Sequence, residues 1–232
     1  MITRKNAFNI SATEQTDYVD GVKALIASGE YVDLVNKHLD MKYRMHTMDS
    51  TGLIGTRRFL PWHRDYLLKM ETKLRARKPN AFVPYWDWTQ PGVPAFIVAF
   101  KPSLNGLVDH TGTGVPSHMD NNRTVPGGAV SNAGEIQTIL NAADYDEMTQ
   151  RLEGGPHNRG HRMLGSPMTT FGSPTDPIFW MHHAMVDRVW SQWQASHAGK
   201  GPLLTGDDAK MDPWGETVSA LDSISTLGYG YA

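Results

Sequence analysis

Apolar residues recur every three to four positions over much of the chain, which is the spacing of amphipathic helices. Ser11 and Glu14 form a capping-box pattern ahead of one such stripe, and Gly29 follows it as a stop signal. A second stripe extends over residues 30–48 and places His38 among its inward positions. The N-terminal part of the chain is therefore predicted to form two helices.

Three further helical stretches are predicted downstream. A stripe over residues 62–77 includes His63 on its buried side, helical periodicity returns over residues 132–152, and a strong inward stripe over residues 176–195 includes His183. These patterns predict a mainly α fold. The helices that carry histidines are expected to face one another as an antiparallel four-helix bundle with long irregular loops.

Irregular sequence separates the predicted helices. Residues 89–130 are rich in Gly, Pro, Asn and Ser without a sustained period, which predicts long surface loops of the kind that usually shape sites. A second break falls at residues 154–156, where Pro156 is placed to begin a new helix. Neither a repeat nor a linker is visible, so the 232 residues are predicted to form one domain, residues 1–232.

Charge and composition exclude several classes of protein. A net charge of -2, with dispersed Lys and Arg, provides no basic stripe for nucleic acid or anionic lipid. No apolar run approaches the length of a membrane span, and residues 1–10 lack the apolar segment of a secretory signal, which predicts a cytoplasmic protein. Because the chain has no cysteine, any metal must be held by imidazole or carboxylate.

Histidines occur at the spacing of metal ligands. His157 and His161 lie at i and i+4, so both rings project from one helix face, and the pair His182 and His183 offers a third nitrogen from another helix. His63, in the segment Phe-Leu-Pro-Trp-His-Arg, begins a second such group. Three imidazoles suit zinc as well as copper, so the donor set alone does not choose the metal.

Residues 59–64, 157–161 and 176–183 resemble the two copper-binding segments of the type-3 copper proteins, the family of tyrosinases, catechol oxidases and haemocyanins. Arg4 and the segment Tyr229-Gly230-Tyr231 look like the arginine and the tyrosine pair that bracket the catalytic domain of this family. The resemblance therefore covers nearly the whole chain. It implies a tyrosinase-like catalytic domain, residues 1–232, without a C-terminal shielding domain.

The family resemblance implies an oxidoreductase similar to a small bacterial-type tyrosinase, with two copper ions per chain. Such an enzyme uses O₂ to hydroxylate monophenols and to oxidise o-diphenols to o-quinones, the chemistry of melanin biosynthesis. The implied partners are O₂, phenolic or catecholic small molecules, and a helper protein that delivers copper and assists secretion. Alternatives are a catechol oxidase or o-aminophenol oxidase without monophenolase activity, a haemocyanin-like oxygen carrier, and a copper-poor homologue.

The resemblance also implies the ligands of the second copper site. These are His157, His161 and His183. His182 precedes the last ligand in many relatives and is usually not bound. Both positions lie near the inward stripe of the helix, so periodicity does not choose between them, and the assignment of His183 rests on its position in the family pattern.

The first copper site departs from the family pattern. His63 matches, but Ile54 occupies the position nine residues earlier where many bacterial relatives carry the middle ligand. His38 and His46 are therefore expected to complete the site. Because an i, i+8 pair on one helix is separated by about 12 Å along the axis, the helix must end or bend before His46. A break at residues 49–55, which include two glycines, is expected.

Residues around the second site match family positions attributed to control of activity. Glu153 and Asn158 resemble the pair that holds a water able to deprotonate monophenols, ordinary general-base chemistry. Glu153 could instead stabilise a helix N-terminus. Arg162 matches a position that steers substrates bearing a carboxylate. Thr170 takes the gate position over the coppers, which favours an open site, and Phe171 follows it one residue later.

Overall fold

The computed structural model describes residues 1–47, 53–104 and 121–232, and helices dominate this part of the chain. The mainly α prediction is confirmed, while the antiparallel four-helix arrangement stays a prediction. Helix α1 (Ala12–Ala27) begins at the predicted capping box: the Ser11 hydroxyl accepts the Glu14 N–H, and the Glu14 carboxylate accepts the Ser11 N–H. Gly29, with φ of 79°, turns the chain into the next helix.

Helix α2 (Glu30–Leu39) is shorter than the stripe over residues 30–48 predicted. Asp40 adopts an extended conformation, a 3₁₀ turn follows at Met41–Tyr43, and Arg44 lies in the left-handed region with φ of 52°. The break needed before His46 therefore falls at residues 40–44. The break expected at residues 49–55 lies partly outside the described residues.

Helix α3 (Leu53–Arg77) begins nine residues before the predicted start at residue 62 and runs through Pro61. A proline has no N–H to donate to the carbonyl four residues earlier, which is that of Arg57. The Tyr145 hydroxyl donates to this carbonyl at 3.0 Å. A tertiary contact thus satisfies the group that the proline leaves open, which sequence periodicity does not reveal.

The described helices between α3 and the last helix are short. The short α4 (Ala95–Val98) lies in the predicted loop region, of which residues 105–120 are outside the described residues. The helix predicted over residues 132–152 is two helices, α5 (Ala133–Leu140) and α6 (Tyr145–Leu152). Asn132 and Asp144 cap them, because each side chain accepts the N–H three residues on.

A wide π-type turn at Glu153–His157 joins α6 to α7 (Asn158–Leu164). Gly155, with φ of -90° and ψ of -110°, bends the chain within this turn. Helix α8 (Ile178–Ser196) matches the stripe predicted over residues 176–195. Helix α3 packs against α8, α1 and α6, so the strongest apolar stripes meet at the centre of the molecule.

Four short strands complete the described structure. β1 (Ile2–Arg4) pairs in parallel with β4 (Tyr229–Tyr231), and β2 (Lys210–Met211) pairs antiparallel with β3 (Glu216–Thr217). The Arg4 guanidinium lies 3.9 Å from the centre of the Tyr229 ring, so the predicted contact between the two ends of the chain is present.

Asp187 lies at the centre of a buried polar network. It accepts hydrogen bonds from Arg64 at 2.6 Å, Arg4 at 3.2 Å and the hydroxyls of Tyr229 and Tyr231 at 2.7 and 2.5 Å. Arg188, the next residue on α8, lies over the Tyr85 ring and is not part of this network. The network joins α3, α8, β1 and β4. Within the described residues no helix has both the length and the apolarity of a membrane span.

Candidate metal centre

The first histidine set draws on three separate segments. His38 lies in the last turn of α2, His46 follows the left-handed turn at Arg44, and His63 lies on α3. Ring centroids are 5.1 Å apart for His38 and His46, 5.0 Å for His46 and His63, and 5.6 Å for His38 and His63. One nitrogen of each ring lies within 4.8 Å of the others, and all three side chains are buried.

Two of the three histidines of the second set are close together in the sequence. His157 ends the wide turn and His161 lies one helical turn later, with ring centroids 4.5 Å apart. His183 on α8 lies 5.0 Å from His157 and 5.7 Å from His161. Its ring stacks on that of His63 at 4.2 Å, with 10° between the planes. The two histidine sets therefore meet at the contact between α3 and α8.

Backbone carbonyls fix the tautomer of four rings. A carbonyl only accepts, so each Nδ1 facing one carries the hydrogen and each Nε2 presents a lone pair. These contacts join His38 to Phe171 at 2.7 Å, His63 to Phe59 at 2.8 Å, His161 to Met168 at 2.6 Å and His157 to Glu153 at 3.3 Å. Within the described part of the chain, the buried Nε2 atoms of His38 and His63 have no hydrogen-bond partner.

The Nε2 atoms of His157 and His161 lie 3.1 Å apart. Because both Nδ1 atoms donate to carbonyls, both Nε2 atoms are acceptors, and two lone pairs at this distance repel unless a cation lies between or beside them. The donor set therefore fits a metal ion held by neutral imidazoles.

Burial lowers the pKa of several of these rings and so keeps them neutral. It lowers the pKa of His38, His63, His157 and His183 well below the usual value, and repulsion among neighbouring rings lowers these pKa values further. Burial also lowers the pKa of His161 to about 4. Neutral rings leave their lone pairs available to a metal at physiological pH, and imidazole suits copper in both oxidation states.

His182 and His183 differ in their hydrogen bonding. By distance alone, the nitrogens of His157, His161 and His182 form the tighter group. However, the Trp88 indole donates to His182 Nδ1 at 3.1 Å, so Nε2 carries the hydrogen and donates to the His157 carbonyl at 3.1 Å. Both nitrogens of His183 lack a partner among the described residues. Hydrogen bonding thus favours His183 as the ligand, because both nitrogens of His182 are engaged and leave no lone pair for a metal.

A cavity of about 310 Å³ opens onto both histidine sets. It contains every residue for which sequence analysis predicted a substrate contact, together with four of the predicted ligands and Asn158. The lining comprises His38, His46, His157, Asn158, His161, Arg162, Met168, Thr169, Thr170, Phe171 and Ser173. Arg162 is exposed at its edge, and the Phe171 ring lies 5.9 Å from that of His46. The structure therefore places Arg162, Thr170 and Phe171 beside the metal centre.

Glu153 does not line this cavity, but it lies near His46. It lines a second cavity of about 340 Å³ with His46, Thr47, Gln150, Gly154 and Asn158. Its carboxylate accepts the Thr47 N–H at 3.1 Å and the Thr47 hydroxyl at 2.5 Å. Asn158 lines both cavities, and its side-chain oxygen accepts from His157 Nδ1 at 3.1 Å. Glu153 and Asn158 therefore line one cavity, and the water that they are predicted to hold stays a prediction.

Sequence reasoning missed several groups that position the rings. The ring centroid of Phe59 lies 4.9 Å from that of His63 and 4.8 Å from that of His157, and the Phe179 ring lies 4.2 Å from that of His183. The apolar periodicity of α3 and α8 predicts that these two side chains are buried, but it does not predict that they contact the histidine rings. The carbonyls of Met168 and Phe171 carry no sequence signal, because any residue type supplies a carbonyl.

Comparison with known proteins agrees with this centre. The sequence model of the common central domain of tyrosinase matches residues 28–132 and 109–196. A tyrosinase of Streptomyces glaucescens is 31% identical over 262 aligned residues, which cover 95% of this chain and 95% of that protein.

Solved structures share the fold. A mutant polyphenol oxidase of Thermothelomyces thermophila superposes with a TM-score of 0.72 at 23% identity, over 100% of this chain and 89% of its own. A functional unit of octopus hemocyanin gives 0.74 at 22% identity, over 100% of this chain and 68% of its own.

Proposed function

Because the chain belongs to the tyrosinase family of type-3 copper proteins, we propose that it converts monophenols and o-diphenols to o-quinones with O₂. The observation that carries this proposal is that two sets of buried histidines open onto one cavity. Two copper ions bound there would supply the exchange of electrons between O₂ and the phenol. A polyphenol oxidase and tyrosinases among the similar proteins support a phenol oxidase.

The proposed ligands are six histidines whose rings converge beside the cavity. His38, His46 and His63 would hold one ion, and His157, His161 and His183 the other. The carbonyls behind their Nδ1 atoms hold four of these rings in one orientation, which keeps the lone pairs directed inward before the metal arrives.

The cavity would bind the phenol. Arg162 is exposed at its edge, where a guanidinium can pair with the carboxylate of a substrate such as tyrosine. Thr170 and Phe171 line the same cavity from the segment between α7 and α8. Their side chains would limit the size of the substrate ring. A ring placed between these groups lies beside the histidines of both sets.

Hydroxylation of a monophenol also requires removal of its hydroxyl proton. Glu153 and Asn158 share the second cavity, where a water between them could take this proton and pass it to the Glu153 carboxylate. Asn158 lines the substrate cavity as well, so this water would lie at the border between the two spaces.

The test is reconstitution with copper added directly, so that the assay does not depend on the predicted helper protein. We expect two copper ions per chain and turnover of both L-tyrosine and L-DOPA. Arg162→Met should raise KM for L-tyrosine about 10-fold, the loss of one charge-assisted contact, with little change for catechol, which has no carboxylate. Reversible oxygenation without quinone formation, or one copper per chain without turnover, would contradict the proposal.

A catechol oxidase is the second candidate, and one observation favours it. Thr47 already donates two hydrogen bonds to the Glu153 carboxylate, and hydrogen bonds to the charged form make a carboxylate a weaker proton acceptor. Immediate turnover of L-DOPA with no turnover of L-tyrosine, even after a long lag, would support this candidate.

A further inference from the structure

Thr47, the residue after His46, joins three parts of the fold. Its hydroxyl lies 2.5 Å from Glu153 Oε2 and 3.0 Å from the Thr56 hydroxyl. A carboxylate only accepts, so Thr47 donates to Glu153 and accepts the hydrogen of Thr56. Thr56 is buried on α3, and Glu153 is buried at the end of α6. The chain of donors therefore ties the segment that carries His46 to both helices.

Glu153 extends this connection to the second histidine set. Its backbone carbonyl accepts from His157 Nδ1 at 3.3 Å, while its carboxylate accepts the N–H and the hydroxyl of Thr47. One residue thus contacts a ligand of the second set directly and a ligand of the first set through its chain neighbour. Hydrogen bonds to a charged acceptor are shorter and about twice as strong as neutral ones, so this is a firm connection.

His46 differs from four of the other proposed ligands in its local backbone. His38, His63 and His161 lie on helices, and His157 ends a turn that helices enclose. His46 follows the left-handed residue Arg44 in a non-helical segment. The hydrogen bonds of Thr47 to Glu153 therefore help to fix the backbone that follows His46.

We propose that Thr47 is a positioning residue for the first metal site: through Glu153 it holds His46 at the distance from His63 that a shared metal ion requires. This inference rests on the proposed function only for the identity of the metal. It assigns Glu153 a second task, since the same carboxylate that would receive a substrate proton also fixes a ligand segment.

The test compares Thr47→Val, Thr47→Ser, Glu153→Gln and the double variant Thr47→Val/Glu153→Gln. The first readout is the rate at which a chelator removes copper from the reconstituted protein. Loss of a partner behind a metal ligand changes metal affinity 10- to 100-fold, so we expect Thr47→Val to release one of two copper ions roughly 10-fold faster. Thr47→Ser keeps the hydroxyl and should behave as the wild type.

Glu153→Gln should accelerate release to a similar extent, and the double variant should be no faster than the faster single variant, because both substitutions break the same connection. Amide hydrogen exchange of residues 44–47 in copper-free protein should quicken in Thr47→Val and in Glu153→Gln. Matched controls are Thr138→Val, an exposed threonine on α5, and Glu147→Gln, an exposed glutamate on α6.

The inference would be overturned if Thr47→Val released copper and exchanged its amide hydrogens at the wild-type rates. It would also be overturned if the effects of the two substitutions on copper release added in the double variant. A wild-type protein that holds two copper ions but turns over no phenol would instead contradict the proposed function, and the release measurements would still decide the role of Thr47.

Discussion

The two histidine sets reach similar geometry by different routes. In the second set, His157 and His161 are one helical turn apart, so local chain geometry brings their rings to 4.5 Å. In the first set, His38, His46 and His63 come from three segments, and the middle one is not helical. Local spacing alone pairs His157 with His161, whereas a set assembled from three segments needs tertiary contacts to hold each segment in place.

The largest expected effect is loss of a ligand from either set. His46→Ala and His161→Ala should each lower copper content from two ions to one and reduce turnover by at least ~10³-fold, because groups that act as one unit fail together. Metal analysis and L-DOPA turnover on both variants provide the measurement. Two copper ions retained in His46→Ala would show that another group completes the first site.

Asp187→Asn should destabilise both sets equally, because the network around Asp187 joins α3 to α8. Removing its charge leaves Arg64 buried without a carboxylate, which costs roughly 3–5 kcal/mol. Denaturant unfolding of copper-free protein measures this loss. A loss below about 1 kcal/mol would show that Glu71, which also pairs with Arg4, compensates.

The Asp187 carboxylate also predicts how the stability of the folded protein falls at acid pH. Burial alone would raise the pKa of Asp187, but Arg64 and Arg4 outweigh it and lower that pKa below its usual value. A carboxyl with a lowered pKa binds its proton more weakly in the folded state. Its stabilisation is therefore complete above about pH 4 and is lost as the pH falls below that value. Asp187→Asn should flatten this part of the stability profile.

A smaller effect separates the two sets. A Cβ on Gly160 would lie 2.4 Å from His182 Cε1, so Gly160→Ala must displace the ring that donates to the His157 carbonyl. Overpacking of this kind costs roughly 1–3 kcal/mol, and we expect faster copper release from the second set alone. Gly127→Ala, with no atom within 4 Å of the added Cβ, is the matched control. Equal release from both sets would argue against a local effect.

The smallest effect is expected for a second substitution in the His46→Ala variant, which should leave its copper content unchanged. Restoring the family's histidine by Ile54→His should not rescue His46→Ala. Because α3 begins at Leu53, position 54 lies about 13.5 Å along the axis from His63 and roughly half a turn around it. Recovery of the second copper ion in the double variant would show that α3 can unwind before Arg58.

The features of the fold and of the metal centre that depend on neighbouring residues could be predicted from the sequence. The capping box at Ser11, the apolar stripe of α8 and the i, i+4 spacing of His157 and His161 all follow from neighbouring residues. The start of α3 did not, because Tyr145 satisfies the carbonyl that Pro61 leaves open. The approach of His46 depended on a left-handed residue at Arg44, a conformation that its residue type does not announce.

The segment between α7 and α8 divides its tasks between backbone and side chains. Its carbonyls at Met168 and Phe171 orient His161 and His38, one ring from each set, while the side chains at Thr169 and Thr170 face the cavity. Under the proposed function, substrate preference can therefore evolve by replacement of side chains in this segment while the ligand histidines stay unchanged. Insertions or deletions in the same segment would shift both carbonyls at once, so a natural or designed change of specificity should proceed by substitution at constant loop length.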